Sequence, residues 1–108
     1  MTESNHNESL VTLNVPPELE EPIVDWLLAR EDSTGFTSFP VYGHSTNHAG
    51  LSQTEQVSGR QRRQQFQIQL RAVDVGVFIE NIRQSFAAAG IHYWVLPLIQ
   101  GGHLRSAE

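Results

Sequence analysis

Cysteine is absent from the sequence, and basic residues are scarce. Without cysteine there are no disulfides, thiolate zinc sites, iron–sulfur clusters or cysteine nucleophiles, so histidine and carboxylate side chains are the only strong metal ligands left. Seven basic residues stand against twelve acidic ones, which gives a net charge of −5. A general nucleic-acid or anionic-membrane binder needs an extended basic surface. We therefore expect neither kind of partner.

A membrane span and a secretory leader are missing as well. No run approaches the roughly 20 apolar residues of a membrane helix, and the opening "MTESNHNESL" has no basic or apolar leader region. We expect a cytoplasmic protein that does not insert into a membrane. The 108 residues fit one domain, which we place at residues 9–102, after a disordered arm at 1–8 and before a loose tail at 103–108.

What the sequence does contain is an ordered series of periodic segments. Strand patterns occupy residues 10–15, 35–43, 65–72 and 91–99, and helical patterns occupy residues 17–31 and 75–90. Asp74 is placed to cap the second helix at its start, and Gly90 to cap it at its end. The order β-α-β-β-α-β predicts an α+β, ferredoxin-like sandwich, in which a four-stranded antiparallel sheet carries two helices on one face.

The last strand, "IHYWVLPLI", is apolar on both faces. One face packs on the core, and the other needs a cover, for which oligomerisation is the simplest source. His92 alternates with its neighbours so that it shares a face with Trp94. We expect this histidine to lie at a subunit boundary, or alternatively in a cleft that binds an effector.

The segment between the second and third strands, residues 43–63, has no apolar periodicity. A loop of this length in so small a domain is more often functional or disordered than merely connective. It contains His44 and His48 in an HxxxH pattern, a spacing that zinc and copper ligands use in helices. The flanking glycines and small polar residues argue against a helix. Solvated histidines are the simpler interpretation, and a metal site with Glu55 as third ligand is the alternative.

The same loop ends in a cluster of arginines, Arg60, Arg62 and Arg63. No aromatic residues are interleaved with them, so a solvated arm or a salt-bridged interface is favoured over nucleic-acid binding. Catalytic patterns are not evident either: the sequence shows no Ser-His-Asp arrangement, paired carboxylates or HExxH motif. We expect a protein that is not an enzyme.

Several stretches together resemble one superfamily. "TGFTSFPVYGH", the long polar loop, "FQIQL" and "AAAGIHYWVLPLIQGG" look like the GlnB-like superfamily of PII and PII-like signalling proteins, over residues 10–102. The "GH" at the loop entrance, "EQVSGRQRR" at its exit and "GIHYW" at the last strand are similar to a bacterial PII-like family of unassigned function. The resemblance implies a homotrimer in which residues 43–63 act as the T-loop.

The resemblance also implies a site. In PII proteins a nucleotide lies between subunits, held by the base of the T-loop and by a glycine- and lysine-rich loop before the last strand. Thr37 and Gly43 match the strand and loop-base positions. The glycine- and lysine-rich loop is missing, because "AAAGIHYW" turns directly from helix to strand. The missing loop argues against the classical PII mode of ATP binding, and Arg60, Arg62 and Arg63 are the residues that could replace it. The candidate ligands are an adenine nucleotide and a divalent metal ion, and His92 is the remaining candidate cleft residue.

Relatives of this kind include CutA-type divalent-ion tolerance proteins and small proteins encoded beside transporters such as heavy-metal efflux pumps. The implied function is a PII-like regulator that binds a small effector between subunits. Its loop would contact a membrane transporter or an efflux-pump subunit. The alternative is a CutA-like metal-binding protein that uses the loop histidines.

Overall fold

Four strands form one antiparallel sheet in the computed structural model, which describes residues 7–30, 35–44, 60–87, 89–102 and 104. The elements are β1 (Glu8–Val15), α1 (Glu20–Leu28), β2 (Phe36–His44), β3 (Arg60–Arg71), α2 (Val75–Ser85) and β4 (His92–Pro97), with short 3-10 turns before the helices at Pro17–Leu19 and Ala72–Asp74. The strand order is β2-β3-β1-β4. The predicted ferredoxin-like sandwich is confirmed, and β2 is an edge strand, as Pro40 indicates.

The core lies between the sheet and the two helices. Because side chains alternate across a strand, every second residue of β1 and β3 points at the helices, and from Val11 to Val15 and from Phe66 to Leu70 those residues are apolar. Among the described residues, the buried apolar side chains are Val11, Leu13, Val15, Ile23, Leu27, Phe66, Ile68, Leu70, Phe78 and Ile82. The opposite face of β3 carries glutamines. The alternation in "QFQIQL" therefore predicts correctly which face of the sheet is buried.

Trp26 connects the two helices. Its indole Nε1 donates a hydrogen bond to Ser85 Oγ at 3.1 Å, and its ring meets the edges of Phe78 and Phe86 at centroid distances of 5.7 and 6.1 Å. The Arg30 guanidinium lies 4.9 Å from the ring centroid. Trp26 therefore packs the two helices against each other. In the part of the chain that the structure describes, no helix is long and apolar enough to cross a membrane.

The two predicted caps of α2 are wrong in detail. Asp74 occupies the N-cap position but makes no capping bond with its side chain, because its carboxylate accepts hydrogen bonds from Arg71 at 2.9 and 3.3 Å. The helix ends at Ser85, well before Gly90. Gly90 has a φ of 74° and belongs to the turn that leads into β4. Only glycine adopts such a φ without strain.

β2 and β3 extend further than their apolar patterns predict. β2 continues to His44 and β3 begins at Arg60, so the strand pairs Val41↔Arg63, Tyr42↔Arg62, Gly43↔Gln61 and His44↔Arg60 lie beyond the end of β1, whose pairing with β3 stops at Val15↔Gln64. We call these four pairs, residues 41–44 and 60–63, the ribbon. A two-stranded ribbon buries no core, so its sequence carries no apolar alternation. Of the loop predicted at residues 43–63, residues 45–59 lie outside the described part of the chain.

Candidate functional site

A cleft of about 290 Å³ lies between the C-terminal half of α2 and the beginning of β4. Its wall is mostly apolar and includes Leu13, Ile79, Ile82, Phe86 and Ile91. The cleft exists because α2 ends at Ser85 and the chain turns through Gly90 before it joins the sheet. The sequence pattern of a helix continuing to residue 89 gives no indication of this opening.

Three residues with polar side chains line the cleft: Arg83, His92 and Tyr93. Arg83 and Tyr93 are both about half exposed, which places them towards the mouth. Arg83 Nη1 lies 3.5 Å from Glu80 Oε1 in a pair that is exposed on both sides. Such a pair holds its partners weakly. The cleft thus combines an apolar wall with a cation at its entrance.

Arg63 is a buried structural link between the ribbon and the turn at the end of this cleft. Its Nε donates to Asn14 Oδ1 at 2.5 Å, and its Nη2 donates to the backbone oxygens of Asn14 and Gly90, both at 2.8 Å. Only 9% of the residue is exposed. Burial lowers the pKa of the Arg63 guanidinium, and the charge of Glu18 opposes that shift. The Arg63 guanidinium therefore bonds to residues of its own chain and serves the fold.

Arg60 and Arg62 lie on the opposite face of the ribbon. Cross-strand partners share a face, so both arginines lie on the side of Tyr42 and His44, whereas Arg63 lies on the side of Gly43. The Arg60 guanidinium stands 4.4 Å from the Tyr42 ring centroid. Both arginines and Tyr42 are exposed. The three arginines predicted as one cleft group therefore divide into one buried link and two surface residues.

Thr37 and His92 share the open face of the sheet but lie on its two outer strands. Thr37 pairs with Gln67 of β3, and His92 pairs with Asn14 of β1. His92 is exposed and shares its face with Trp94, as its position in the sequence predicts. β2 and β4 form opposite edges of the sheet, so one chain does not bring Thr37 next to His92. Arg63 does reach this region, because it bonds to Gly90 and to Asn14, the strand partner of His92.

The proposed metal ligands are only partly within the structure. His44 is exposed at the end of β2, opposite Arg60. His48 and Glu55 lie outside the described residues. Among the residues that are described, no group of three histidine, aspartate or glutamate side chains gathers. The metal site stays a prediction from the sequence.

Of the six residues predicted for an effector cleft, His92 is the one that lines this cleft, whereas sequence analysis missed the other lining residues and the role of Arg63. A register signal for Arg63 exists: counting back by twos from Gln69, Gln67 and Gln65 reaches Arg63 on the polar face of β3. Its bonds to Asn14 and Gly90 are not visible in that pattern, because the partners lie 49 and 27 residues away along the chain. Arg83 lies in no motif, and Tyr93 belongs to "GIHYW", which indicates the family and not this cleft.

Comparison with solved structures finds the same fold in several proteins. A crystal structure of a DUF3240 family protein from Shewanella baltica OS155 matches with a TM-score of 0.75 and 22% identity, over 92% of this chain and 98% of that one. The periplasmic divalent cation tolerance protein CutA from Archaeoglobus fulgidus matches with a TM-score of 0.65 and 12% identity, over 87% and 86%. The Bacillus subtilis GlnK–ATP complex matches with a TM-score of 0.64 and 16% identity, over 90% and 85%.

Both neighbours expected from the sequence, a PII protein and CutA, are therefore structurally similar to this chain, and at these identities the similarity establishes the fold. Comparison with curated proteins gives no match. The family model of DUF3240, described as a protein of unknown function, matches residues 5–105. The predicted resemblance to a PII-like family of unassigned function is thereby confirmed, and the chain belongs to the DUF3240 family.

Proposed function

We propose that this chain is a non-enzymatic, cytoplasmic PII-like regulator that works as a homotrimer. The observation that carries the proposal is the exposure of large apolar side chains along the edge strand β4. Tyr93, Trp94 and Leu96 are 49%, 42% and 51% exposed in the single chain. An apolar strand with a free hydrogen-bonding edge is a site for association.

Apolar residues are exposed on both faces of β4. Trp94 and Leu96 pair with Thr12 and Leu10, which lie on the open face, whereas Tyr93 pairs with Leu13 on the helix face. A neighbour that only stacked on the open face would leave Tyr93 exposed. A neighbour that adds along the edge of β4 covers residues on both faces and satisfies the edge backbone groups.

The effector site of this proposal is the cleft between α2 and β4. It borders the strand to which a second subunit would add, so assembly would turn it into an intersubunit cleft. The structurally similar GlnK was solved as a complex with ATP. All seven basic residues of the present chain are arginines, and Arg63 already serves the fold. A triphosphate would thus lack the lysine-bearing loop that the resemblance implies for PII proteins.

The partner surface of this proposal is the ribbon and the segment 45–59 that it bounds. Arg60, Arg62 and Tyr42 are exposed on one ribbon face, and Arg63 fixes the ribbon base to the turn beside the cleft. A contact between this surface and a membrane transporter or efflux-pump subunit would therefore be mechanically linked to the cleft.

Sedimentation equilibrium of the intact chain at micromolar concentration tests the proposal. We expect a mass three times the chain mass of 12.1 kDa. A monomer across the micromolar range would refute the trimer and, with it, an effector site that is completed by a second subunit.

A further inference from the structure

We propose that the cleft between α2 and β4 binds a small amphiphilic carboxylate, with its apolar body against α2 and its carboxylate at Arg83. The inference rests on the proposed regulatory function for its biological meaning, because it names the class of effector. The binding itself does not depend on assembly. The cleft is already formed within a single chain.

The inside of the cleft suits an apolar group. Leu13 and Ile82 are buried, and Ile79, Phe86 and Ile91 are partly buried against the same core. The volume of about 290 Å³ lies just below the roughly 300 to 1,000 Å³ that is typical of small-molecule sites. The small volume limits the ligand to a short aliphatic or single-ring compound. The walls offer few polar groups, so the part of the ligand inside the cleft is apolar.

The mouth of the cleft selects for negative charge. Arg83 presents a planar guanidinium, which binds carboxylates with two parallel hydrogen bonds, and Tyr93 contributes a phenol hydroxyl on the helix face. The existing partner of Arg83 is Glu80, at 3.5 Å in an exposed pair. Exposed pairs contribute little stability, so a ligand carboxylate can replace Glu80 at low cost.

Larger anions fit the cleft less well. A nucleoside triphosphate needs several backbone N–H groups or cations around its phosphates. The turn between α2 and β4 is short, and Arg83 is the arginine among the lining residues. A single carboxylate is the charge that one guanidinium at the mouth can match.

The test uses the intact chain and three probes: 4-phenylbutyrate, its neutral analogue 4-phenyl-1-butanol, and ATP. Amide NMR spectra are recorded during each titration. We expect 4-phenylbutyrate to shift the amides of Ala87, Gly90 and Ile91 and to bind more tightly than the alcohol. ATP is expected to leave these amides unchanged.

Matched variants separate charge recognition from simple apolar binding. Arg83→Gln is expected to weaken binding of 4-phenylbutyrate by about three- to fivefold, as the loss of a partly exposed ion pair implies, and to leave binding of the alcohol unchanged. Arg71→Gln removes an exposed arginine that also has an i,i+3 carboxylate partner, and it should alter neither probe. Glu80→Gln should tighten binding of 4-phenylbutyrate, whereas Glu21→Gln, at an exposed position of α1, should not.

Four results would overturn the inference: no shifts at the cleft amides, shifts located elsewhere, equal effects of Arg83→Gln on the carboxylate and the alcohol, or Arg83-dependent binding of ATP in place of the carboxylate. These outcomes are distinct from failure of the proposed function. A monomer that binds 4-phenylbutyrate would refute only the trimer, and a trimer that does not bind it would refute only this ligand class.

Discussion

The guanidinium of Arg63 reaches from β3 across the end of β1 to the backbone oxygen of Gly90, at 2.8 Å. The same Nη2 atom also donates to the Asn14 oxygen. One side chain therefore ties together the base of the ribbon, the end of a central strand and the turn beside the cleft. This link is the physical connection between the two surfaces on which the proposed regulation depends.

Arg63→Ala is expected to lower the free energy of unfolding by about 2 to 3 kcal/mol, because it leaves partly buried acceptors at Asn14 and Gly90 without their charged donor. Urea denaturation at fixed protein concentration measures the change, since the stability of an oligomer depends on concentration. The matched control is Arg62→Ala, one position away on the exposed face, which should stay within about 0.5 kcal/mol of the wild type. Equal losses in the two variants would contradict the structural role of Arg63.

Asp74→Ala is expected to lower the free energy of unfolding by less than about 0.5 kcal/mol. Removing an aspartate that caps a helix usually lowers it by roughly 1 kcal/mol. The reason is that its carboxylate bonds Arg71 in an exposed pair and makes no capping bond. That hydrogen bond also raises the pKa of Arg71, a group already charged at neutral pH. Thermal or urea unfolding measures the change. A decrease in the free energy of unfolding well above 1 kcal/mol would show that Asp74 does cap α2, as the sequence predicts.

Two glycine substitutions should have opposite effects. Gly90→Ala is expected to destabilise the protein by about 1 to 2 kcal/mol, because its φ of 74° is unfavourable for a residue with a Cβ. The added Cβ meets only Pro16 Cγ, at 3.8 Å, so the cost is backbone strain.

Gly76→Ala is the control for that variant. Gly76 lies in α2 with open space where a Cβ would go, and alanine there should add roughly 0.5 to 1 kcal/mol of stability. Calorimetric melting of both variants tests the pair. A stabilising Gly90→Ala would mean that the turn beside the cleft has another conformation.

The sequence predicts the sheet and both helices because each buries an apolar face with its own period. "QFQIQL" identifies the buried face of β3 through Phe66 and Ile68, and the proline-containing β2 pattern identifies an edge. Sequence periodicity does not predict the ribbon, because Arg60 and Arg62 pair with β2 through backbone hydrogen bonds, which impose no apolar pattern. Periodicity also misplaces the end of α2, because apolar residues continue past Ser85 although the helix ends there.

The candidate site was less predictable than the fold. In the sequence the three arginines look like one group because they share a charge and lie close together. Adjacent residues of a strand point to opposite faces, however, so Arg63 is buried and Arg62 is exposed. The cleft depends on where α2 ends relative to β4, a tertiary relationship without a local motif. Arg83 gives no sequence signal, because an arginine in the last turn of a helix is ordinary.

The central claim is that β4 is the assembly edge, and light scattering of two matched variants tests it most directly. Leu96→Asp changes an exposed leucine of β4, and Leu28→Asp makes the same change at an exposed leucine at the end of α1. With the wild type at three times 12.1 kDa, the account predicts that Leu96→Asp gives a folded monomer and Leu28→Asp remains a trimer. A wild-type monomer, or a Leu96→Asp variant that stays trimeric, would contradict it.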